Sequence, residues 1–420
     1  MKKILFGLMM LLSTAFAGCS DSSSNSSSDA KNTIPDLTVA QKEEDFEYLC
    51  KILSENYPYF EVNKRLNKGF DWLGKKEEYR KRLIQTTNNL DYLVKLIYIM
   101  DDLKNGHTGI LYTRNSYSEF SDLFLKTYSD LADREPWRNV FREAQPYFDG
   151  YWSDQMGKLT SPSLINTGEY RKPPLRSFQN GESASFEIIE SGKTAYMKLD
   201  SMPDPTEAER QKILSFYSQL SGYENLIIDI RTNGGGGAGY WTDLVMAPLI
   251  SSPVTSSTIS LFRGGSYLDQ FIRARGIQTS DIASLPERSN YPPECKKDFT
   301  KFVNNKIIVN PSSDTIGFKG KVYLLVGSDT FSSAESFAMF CKETKWATIV
   351  GTETGGDGGE GGTGIIVAIL PNSKLVFTFP GDMSLNADGS SNFETKTTPD
   401  VLIGTNEDAL TRTLAIISGK

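Results

Sequence analysis

The sequence has 420 residues, 39% of them hydrophobic and 23% charged, which is typical of a soluble globular protein too long for one ordinary core. The 45 Lys and Arg residues against 52 Asp and Glu residues give a net charge of −7. Because no basic block is long enough to follow a nucleic-acid backbone, nucleic acid is not an expected partner.

The chain begins with a predicted signal peptide over residues 1–18, which has two lysines, a short apolar stretch and small residues before Cys19. The small residues resemble a bacterial lipobox, although Phe16 is unusual at its first position. We expect cleavage before Cys19 and a lipid on its thiol; the alternative is an ordinary signal cleavage that leaves an unmodified cysteine. The expected location is the cell envelope, with the protein lipid-anchored on the periplasmic side or at the outer-membrane surface.

Residues 19–39 include "SDSSSNSSSDAKNT", which is polar, low in complexity and predicted to be a flexible tether. Residues 40–110 are predicted to form a helical domain, because apolar residues recur there at helical spacing. Residues 111–190 are aromatic-rich and irregular, and we expect them to form a cap over a cleft or a degenerate substrate module.

Residues 191–420 are predicted to form an α/β domain with a mostly parallel, covered sheet, since short apolar runs such as "NLIIDI" and "KVYLLV" alternate with helical stretches. Residues 251–312 look like a loop-rich excursion from this domain. "IIVAIL" and "KLVFTF", separated by "PNS", predict a hairpin late in the domain.

The cysteines do not indicate a metal site. Cys50 and Cys341 lie on apolar helical faces and are most simply core residues, and no CxxC or Cys/His spacing supports structural zinc. No metal and no organic cofactor is expected.

A glycine-rich strand exit, "NLIIDIRTNGGGGAGYW", is the first feature that predicts chemistry. It brings unobstructed backbone N–H groups to the carboxyl end of a strand, where they can stabilise a phosphate or a developing oxyanion. A phosphate-binding site has weak support, because neither GK[ST] nor GxGxxG spacing is present. A flexible glycine turn is the alternative.

The second feature is "VGSDTFSSAESFAMF", in which a strand, a polar turn and a helix place Ser332 at a helix N-terminus. Free N–H groups and partial positive charge there favour an alkoxide and its tetrahedral adduct. Ser332 could instead be a plain N-cap, with Glu335 as its capping-box partner.

Together these features resemble the superfamily of C-terminal processing and tricorn-type serine peptidases. The matching elements are "DIRTNGGG", "TFSSAE" and "DDLKNGHTG", in the family's order. The resemblance implies a crotonase/ClpP-like α/β catalytic domain after a helical lead-in, with Ser332 as nucleophile. It also implies an oxyanion hole from the N–H groups of Ser333 and of Gly235 or Gly236.

The resemblance also bears on the base. The C-terminal processing branch has a lysine 25 residues after the serine, but that position here is Asp357, which excludes a Ser-Lys dyad at that site. The tricorn branch uses a histidine, and His107, the only histidine of the chain, matches it. A serine beside the histidine and a late glutamate complete the tricorn set; Thr108 and Glu394 are the candidates.

The implied function is a serine endopeptidase that cleaves peptides or unfolded protein segments through an acyl-enzyme. Many relatives carry a PDZ module for substrate C-termini, and residues 111–190 show no such pattern. The alternative is a protein that binds small apolar ligands or peptides on the same scaffold, as the retinoid-binding relatives do. Retention of Ser332, His107 and the glycine exit favours the enzyme.

Overall fold

A computed structural model describes residues 34–112, 117–118, 120–122, 124, 136–159, 183–358, 362–404 and 406–420. The predicted signal peptide, Cys19, most of the tether and part of the 111–190 segment lie outside these residues. Within the described ranges, no helix is long and apolar enough to cross a membrane.

Helices dominate the N-terminal part of the described chain and cover the sheets further on. Thr38 begins the first helix with a capping box, since its hydroxyl accepts from the Gln41 N–H while the Gln41 amide accepts from the Thr38 N–H. The helices are α1 Val39–Asn56, α2 Phe60–Leu66, α3 Lys76–Ile84, α4 Asn89–Asp101, α5 Trp137–Tyr147, α6 Ser153–Leu159, α7 Glu207–Ser218, α8 Ser266–Ala274, α9 Cys295–Asp298, α10 Ser333–Thr344, α11 Asn392–Thr395 and α12 Ala409–Ile417. Short π-helical turns cover Phe148–Trp152 and Tyr240–Met246, and 3₁₀ turns cover Leu73–Lys75 and Ile282–Ser284.

The strands of the described chain form three sheets. They are β1 Gly109–Ile110, β2 Ala184–Glu190, β3 Thr194–Leu199, β4 Asn225–Asp229, β5 Val254–Phe262, β6 Ser280–Asp281, β7 Lys301–Val309, β8 Lys321–Val326, β9 Thr348–Gly351, β10 Ile365–Ile369, β11 Val376–Pro380, β12 Met383–Leu385 and β13 Val401–Leu402.

The main sheet has the order β13-β9-β8-β4-β3-β2, and all neighbouring pairs are parallel except β2 with β3. Every residue of β4 is buried, because α7 and α10 pack on one face and α12 packs on the other. Burial on both faces is why the strands are continuous apolar runs. The predicted fold, a helical N-terminal region followed by a mostly parallel covered sheet, is confirmed. The sheet begins at Ala184, seven residues before the predicted boundary at 191.

The predicted loop-rich excursion at 251–312 is wrong. β5 and β7 pair antiparallel over nine residues, from Val254 opposite Val309 to Phe262 opposite Lys301, within the sheet β12-β5-β7-β6. β10 and β11 form the predicted hairpin, and β1 joins it in a third sheet.

The helical lead-in is not a separate unit. Its apolar residues share one continuous core with α5, with α8 and with the two smaller sheets. β1 pairs with β11, so that Gly109 lies opposite Thr378. This pairing holds the turn at His107 against the α/β part of the chain.

Candidate active site

Ser332 lies in a sharp turn between β8 and α10. Its backbone has φ 57° and ψ −122°, a positive-φ conformation that is strained for a serine, and its side chain makes no capping bond to the helix. The turn is tied to the exit of β4, because Phe331 donates its N–H to the Asn233 carbonyl at 3.1 Å. Strand-to-helix turns of this strained kind expose a hydroxyl for attack. The plain N-cap alternative therefore does not describe this serine.

His107 lies in the turn between α4 and β1, and its ring connects two polar groups from the α/β part. Nε2 is 3.0 Å from the Ser332 Oγ, and Nδ1 is 2.8 Å from Oδ2 of Asp357. The Asn105 side-chain oxygen accepts the backbone N–H of His107 at 2.8 Å, which fixes the turn. A hydroxyl, an imidazole and a carboxylate thus stand in the order that nucleophilic serine chemistry requires.

Asp357 follows β9 in the glycine-rich stretch "GTETGGDGGEGGTG" and has φ 59°. The Asn105 amide donates to its Oδ2 at 2.8 Å. Burial acts to raise the pKa of Asp357, but the charge of His107 and hydrogen bonds from His107, Asn105 and Tyr59 outweigh it and lower the pKa. The carboxylate is therefore held ionised beside the imidazole.

Glu394 and Thr108, the two residues predicted to complete the site, make their hydrogen bonds to groups other than the imidazole. Glu394 accepts two hydrogen bonds from the Arg65 guanidinium, at 2.7 Å each, and Arg65 is also bidentate to Glu294. Thr108 is buried and donates to the Asn105 side-chain oxygen at 3.0 Å. The carboxylate at the imidazole is Asp357, which the sequence marked only as the residue in the place of the relatives' lysine. Asn105 was missed, and only its position two residues before His107 pointed to it.

The position before His107 has no room for a side chain, which accounts for Gly106 where the resemblance predicts a serine. The Phe331 ring packs against His107, with ring centroids 4.8 Å apart. A Cβ on Gly106 would lie 2.1 Å from the Phe331 Cζ, which is far inside van der Waals contact. The space of the missing side chain is thus filled by the ring of Phe331, the residue before Ser332.

We expect Gly106→Ala to reduce kcat by about 100-fold, because the collision must move the His107 turn or the Phe331 ring, and misplacement by about 1 Å can have an effect of this size. The overpacking should also cost about 1–3 kcal/mol of stability. Gly109→Ala is the matched control, since its Cβ meets nothing within 4 Å. Steady-state kinetics and thermal unfolding measure both effects. Full activity in Gly106→Ala would contradict this packing, and Phe331→Ala should partly rescue the variant.

The candidate oxyanion donors lie around the same turn. The Ser333 N–H, at the first position of α10, has no partner among the described residues. The Gly235 N–H instead donates to the Asn233 side chain at 2.9 Å. The Gly235 carbonyl faces Met202, so the N–H of Gly236, in the same trans peptide, points to the opposite side. Of the two predicted glycines, Gly236 is therefore the one whose N–H is available.

Gly235 has to be glycine for two reasons. Its φ is 104°, and a Cβ would lie 2.8 Å from the Ser332 Cβ and 2.9 Å from the Ser333 N. The glycine strand exit thus packs directly on the serine turn, which a flexible surface turn would not do.

Other reactive chemistry has little support in the described part of the chain. No group of three His, Cys, Asp or Glu residues could hold a metal ion there. Cys50, Cys295 and Cys341 are buried and free, and burial raises the pKa of the Cys50 thiol to about 12 and that of Cys295 to about 11. Buried thiols of this kind are poor nucleophiles.

The lowered pKa of Asp357 predicts how stability depends on pH. A carboxylate whose native pKa lies below its unfolded value, about 3.9, contributes stability above that value and loses it as the pH falls through the native pKa. We therefore expect wild type to be more stable than Asp357→Asn at pH 5 and the difference to shrink below about pH 4. Urea unfolding at several pH values measures it. A difference that grows as the pH falls would show that the native carboxyl is protonated.

The chain is similar to known proteins both in sequence and in fold. Residues 193–403 match the model of peptidase family S41. A candidate peptidase from Parabacteroides merdae ATCC 43184 superposes with a TM-score of 0.54 at 17% identity, covering 90% of this chain and 96% of that one. Mature CPAF in complex with lactacystin superposes with a TM-score of 0.54 at 12% identity, covering 91% and 97%. At these identities, the solved structures show a shared fold. A comparison with curated proteins found no match.

Proposed function

Because the chain belongs to peptidase family S41 and is a serine-type peptidase, we propose that it hydrolyses peptide bonds through an acyl-enzyme on Ser332, with His107 as the general base. The observation that carries the proposal is the 3.0 Å contact between the His107 Nε2 and the Ser332 Oγ. A base within hydrogen-bond reach can take the hydroxyl proton as the oxygen attacks.

The proposed mechanism uses groups described above. The Ser332 Oγ attacks the substrate carbonyl carbon while its proton passes to the His107 Nε2. The oxyanion accepts hydrogen bonds from the N–H groups of Ser333 and Gly236, and Asp357 stabilises the imidazolium. The imidazolium then protonates the leaving amine. In the second half of the reaction, His107 takes a proton from water as the water oxygen attacks the acyl carbon. The C–O bond to Ser332 then breaks, and the imidazolium returns the proton to the Ser332 Oγ.

The proposed substrates are internal bonds of peptides or unfolded protein segments. The scissile carbonyl has to come within about 3–3.5 Å of the Ser332 Oγ, in line with the oxyanion donors. Phe331, His107 and the glycine strand exit pack around the Ser332 turn. An extended peptide can therefore reach the Ser332 Oγ more easily than the surface of a folded protein can.

Two measurements with the full chain test this function. A fluorophosphonate should form a stoichiometric adduct, and a fluorogenic peptide blocked at both ends should be cleaved. Absence of an adduct on folded protein would favour the alternative, a binding protein on the same scaffold. Cleavage restricted to peptides with a free terminus would retain the peptidase and exclude the endopeptidase.

We also propose that a lipid on Cys19 anchors the protein at the cell envelope, which the lipobox-like residues before Cys19 support. Cys19→Ser should move the protein from the membrane fraction to the soluble fraction with kcat unchanged, because the predicted tether separates this residue from Ser332. Ser22→Ala, in the same tether, is the control. Incorporation of radiolabelled palmitate measures the lipid directly. A Cys19→Ser protein that stays membrane-bound through washing would contradict lipid anchoring.

A further inference from the structure

The buried side chain of Asn392, at the start of α11, connects the two strained turns of the candidate site. Its amide donates to the Glu335 Oε1 at 2.8 Å, and Glu335 lies in the first turn of α10, three residues after Ser332. Its carbonyl oxygen accepts the backbone N–H of Gly358 at 3.0 Å, immediately after Asp357. One side chain thus joins the serine turn to the aspartate loop.

Every hydrogen-bonding group of the Asn392 side chain has a partner. Asn392 is 0% exposed, and its second amide hydrogen goes to the Asn386 side-chain oxygen at 3.0 Å. An asparagine offers two donors and one carbonyl acceptor, and all three are occupied here. Replacement by an apolar residue would leave the Gly358 N–H and the Glu335 carboxyl without these partners.

The loop that carries Asp357 requires hydrogen bonds from outside it to hold a single conformation. Glycines flank Asp357 on both sides, so its backbone has many alternative conformations, and its own φ of 59° is unfavourable for an aspartate. A strained conformation persists only where its surroundings enforce it. Two further hydrogen bonds, from residues just after α11, also hold this loop. The Lys396 Nζ donates to the Gly355 carbonyl at 2.8 Å, and the Thr397 N–H donates to the Thr354 Oγ1 at 2.9 Å. Thr397 also donates its hydroxyl to the Glu335 Oε1, at 2.6 Å, so Asn392 and Thr397 both join this loop to the serine helix. Of the two, Asn392 binds the loop at the residue next to Asp357.

We propose that Asn392 is a positioning residue, which holds the Asp357 carboxylate at the distance from Ser332 where His107 can bridge them. The proposal rests on the triad of the proposed function. Asn392 touches neither the imidazole nor the nucleophile, and it acts through the Gly358 backbone and Glu335.

The test is a mutant cycle between Asn392 and Asp357 in the full chain. Asn392→Ala should lower kcat by about 10- to 100-fold with KM little changed, because the aspartate shifts while the substrate site stays. In the Asp357→Asn background, the same change should lower kcat by less than about 2-fold, because the carboxylate it positions is already gone. Equal losses in both backgrounds would overturn the proposal, since they indicate a general structural role.

Asn56→Ala is the matched control for folding. Asn56 is also 0% exposed, donates to the Ile52 carbonyl and accepts the Leu268 N–H, so these two partners lie in α1 and α8 and not in the triad. Its variant should lose thermal stability without losing kcat in the folded fraction. If Asn56→Ala lowers kcat as much as Asn392→Ala does, the effect belongs to stability and the proposal fails.

A reciprocal exchange gives a second test if Asn392→Ala does not fold. Asn392→Asp places a second carboxylate against buried Glu335, whose pKa burial already raises. Adding Glu335→Gln restores a donor facing an acceptor across this contact, so the double variant should recover at least 10-fold in kcat over Asn392→Asp. No recovery would count against the proposal. If Asp357→Asn by itself leaves kcat unchanged, the triad has failed, and this outcome is separate from a failure at Asn392.

Discussion

Ser332→Ala should lower kcat by about 10⁶-fold and abolish labelling by a fluorophosphonate. The Ser332 Oγ is the atom within 3.0 Å of the His107 Nε2, and alanine removes it. Removal of the serine from the subtilisin triad has an effect of this size, and only the enhancement by binding and the oxyanion hole remains. Active-site titration and peptide mapping of the adduct measure it.

Ser333→Ala is the neighbouring control, because the proposed contribution of Ser333 is its backbone N–H. That variant should retain labelling and most of kcat. Ser333→Pro removes the donor and should reduce kcat by about 10²- to 10³-fold, as other oxyanion-hole deletions do. An adduct on Ser333 or Ser328, with Ser332 unmodified, would show that the motif has been aligned to the wrong serine.

Asp357→Asn should lower kcat by about 10⁴-fold, the size that the corresponding change has in the trypsin triad. The aspartate accepts the His107 Nδ1–H and leaves Nε2 as the acceptor facing Ser332. An asparagine amide that donates to Nδ1 would favour the opposite tautomer, with the proton on Nε2, where it blocks transfer from the serine. Steady-state kinetics on a fluorogenic peptide measure the change.

Glu394→Gln distinguishes this triad from the one expected by resemblance. Glu394 pairs with Arg65 at the surface, and Arg65 keeps its bidentate partner Glu294 in the variant. We expect kcat within about 3-fold of wild type and a stability loss of no more than about 1 kcal/mol, because partly exposed ion pairs contribute little. A large loss of kcat in Glu394→Gln, with Asp357→Asn still active, would restore Glu394 as the third residue.

Local patterns in the sequence were sufficient for several features. The parallel sheet was predictable because β4 and β8 are apolar on both faces, which reflects burial on both faces. Ser332 and His107 were predicted as a pair because each lies in a short motif that resembles the family's, and their side chains lie 3.0 Å apart; their catalytic roles stay a prediction. The β5–β7 pair was missed, since Ser and Thr occupy much of "VTSSTISLF" and conceal its alternation.

The identity of the carboxylate at His107 was decided by tertiary structure alone. The chain has 52 acidic residues, and Asp357 lies 250 positions after His107 in a glycine-rich loop that by itself favours no single conformation. Its carboxylate reaches the imidazole because Asn392 and Lys396 hold the loop and because β1 pairs with β11 behind His107. Glu394, although it matches the family pattern more closely, has its carboxylate neutralised by Arg65. A sequence motif can specify a turn from its own residues, but the approach of a carboxylate to an imidazole across 250 residues depends on the packing of every segment that carries them.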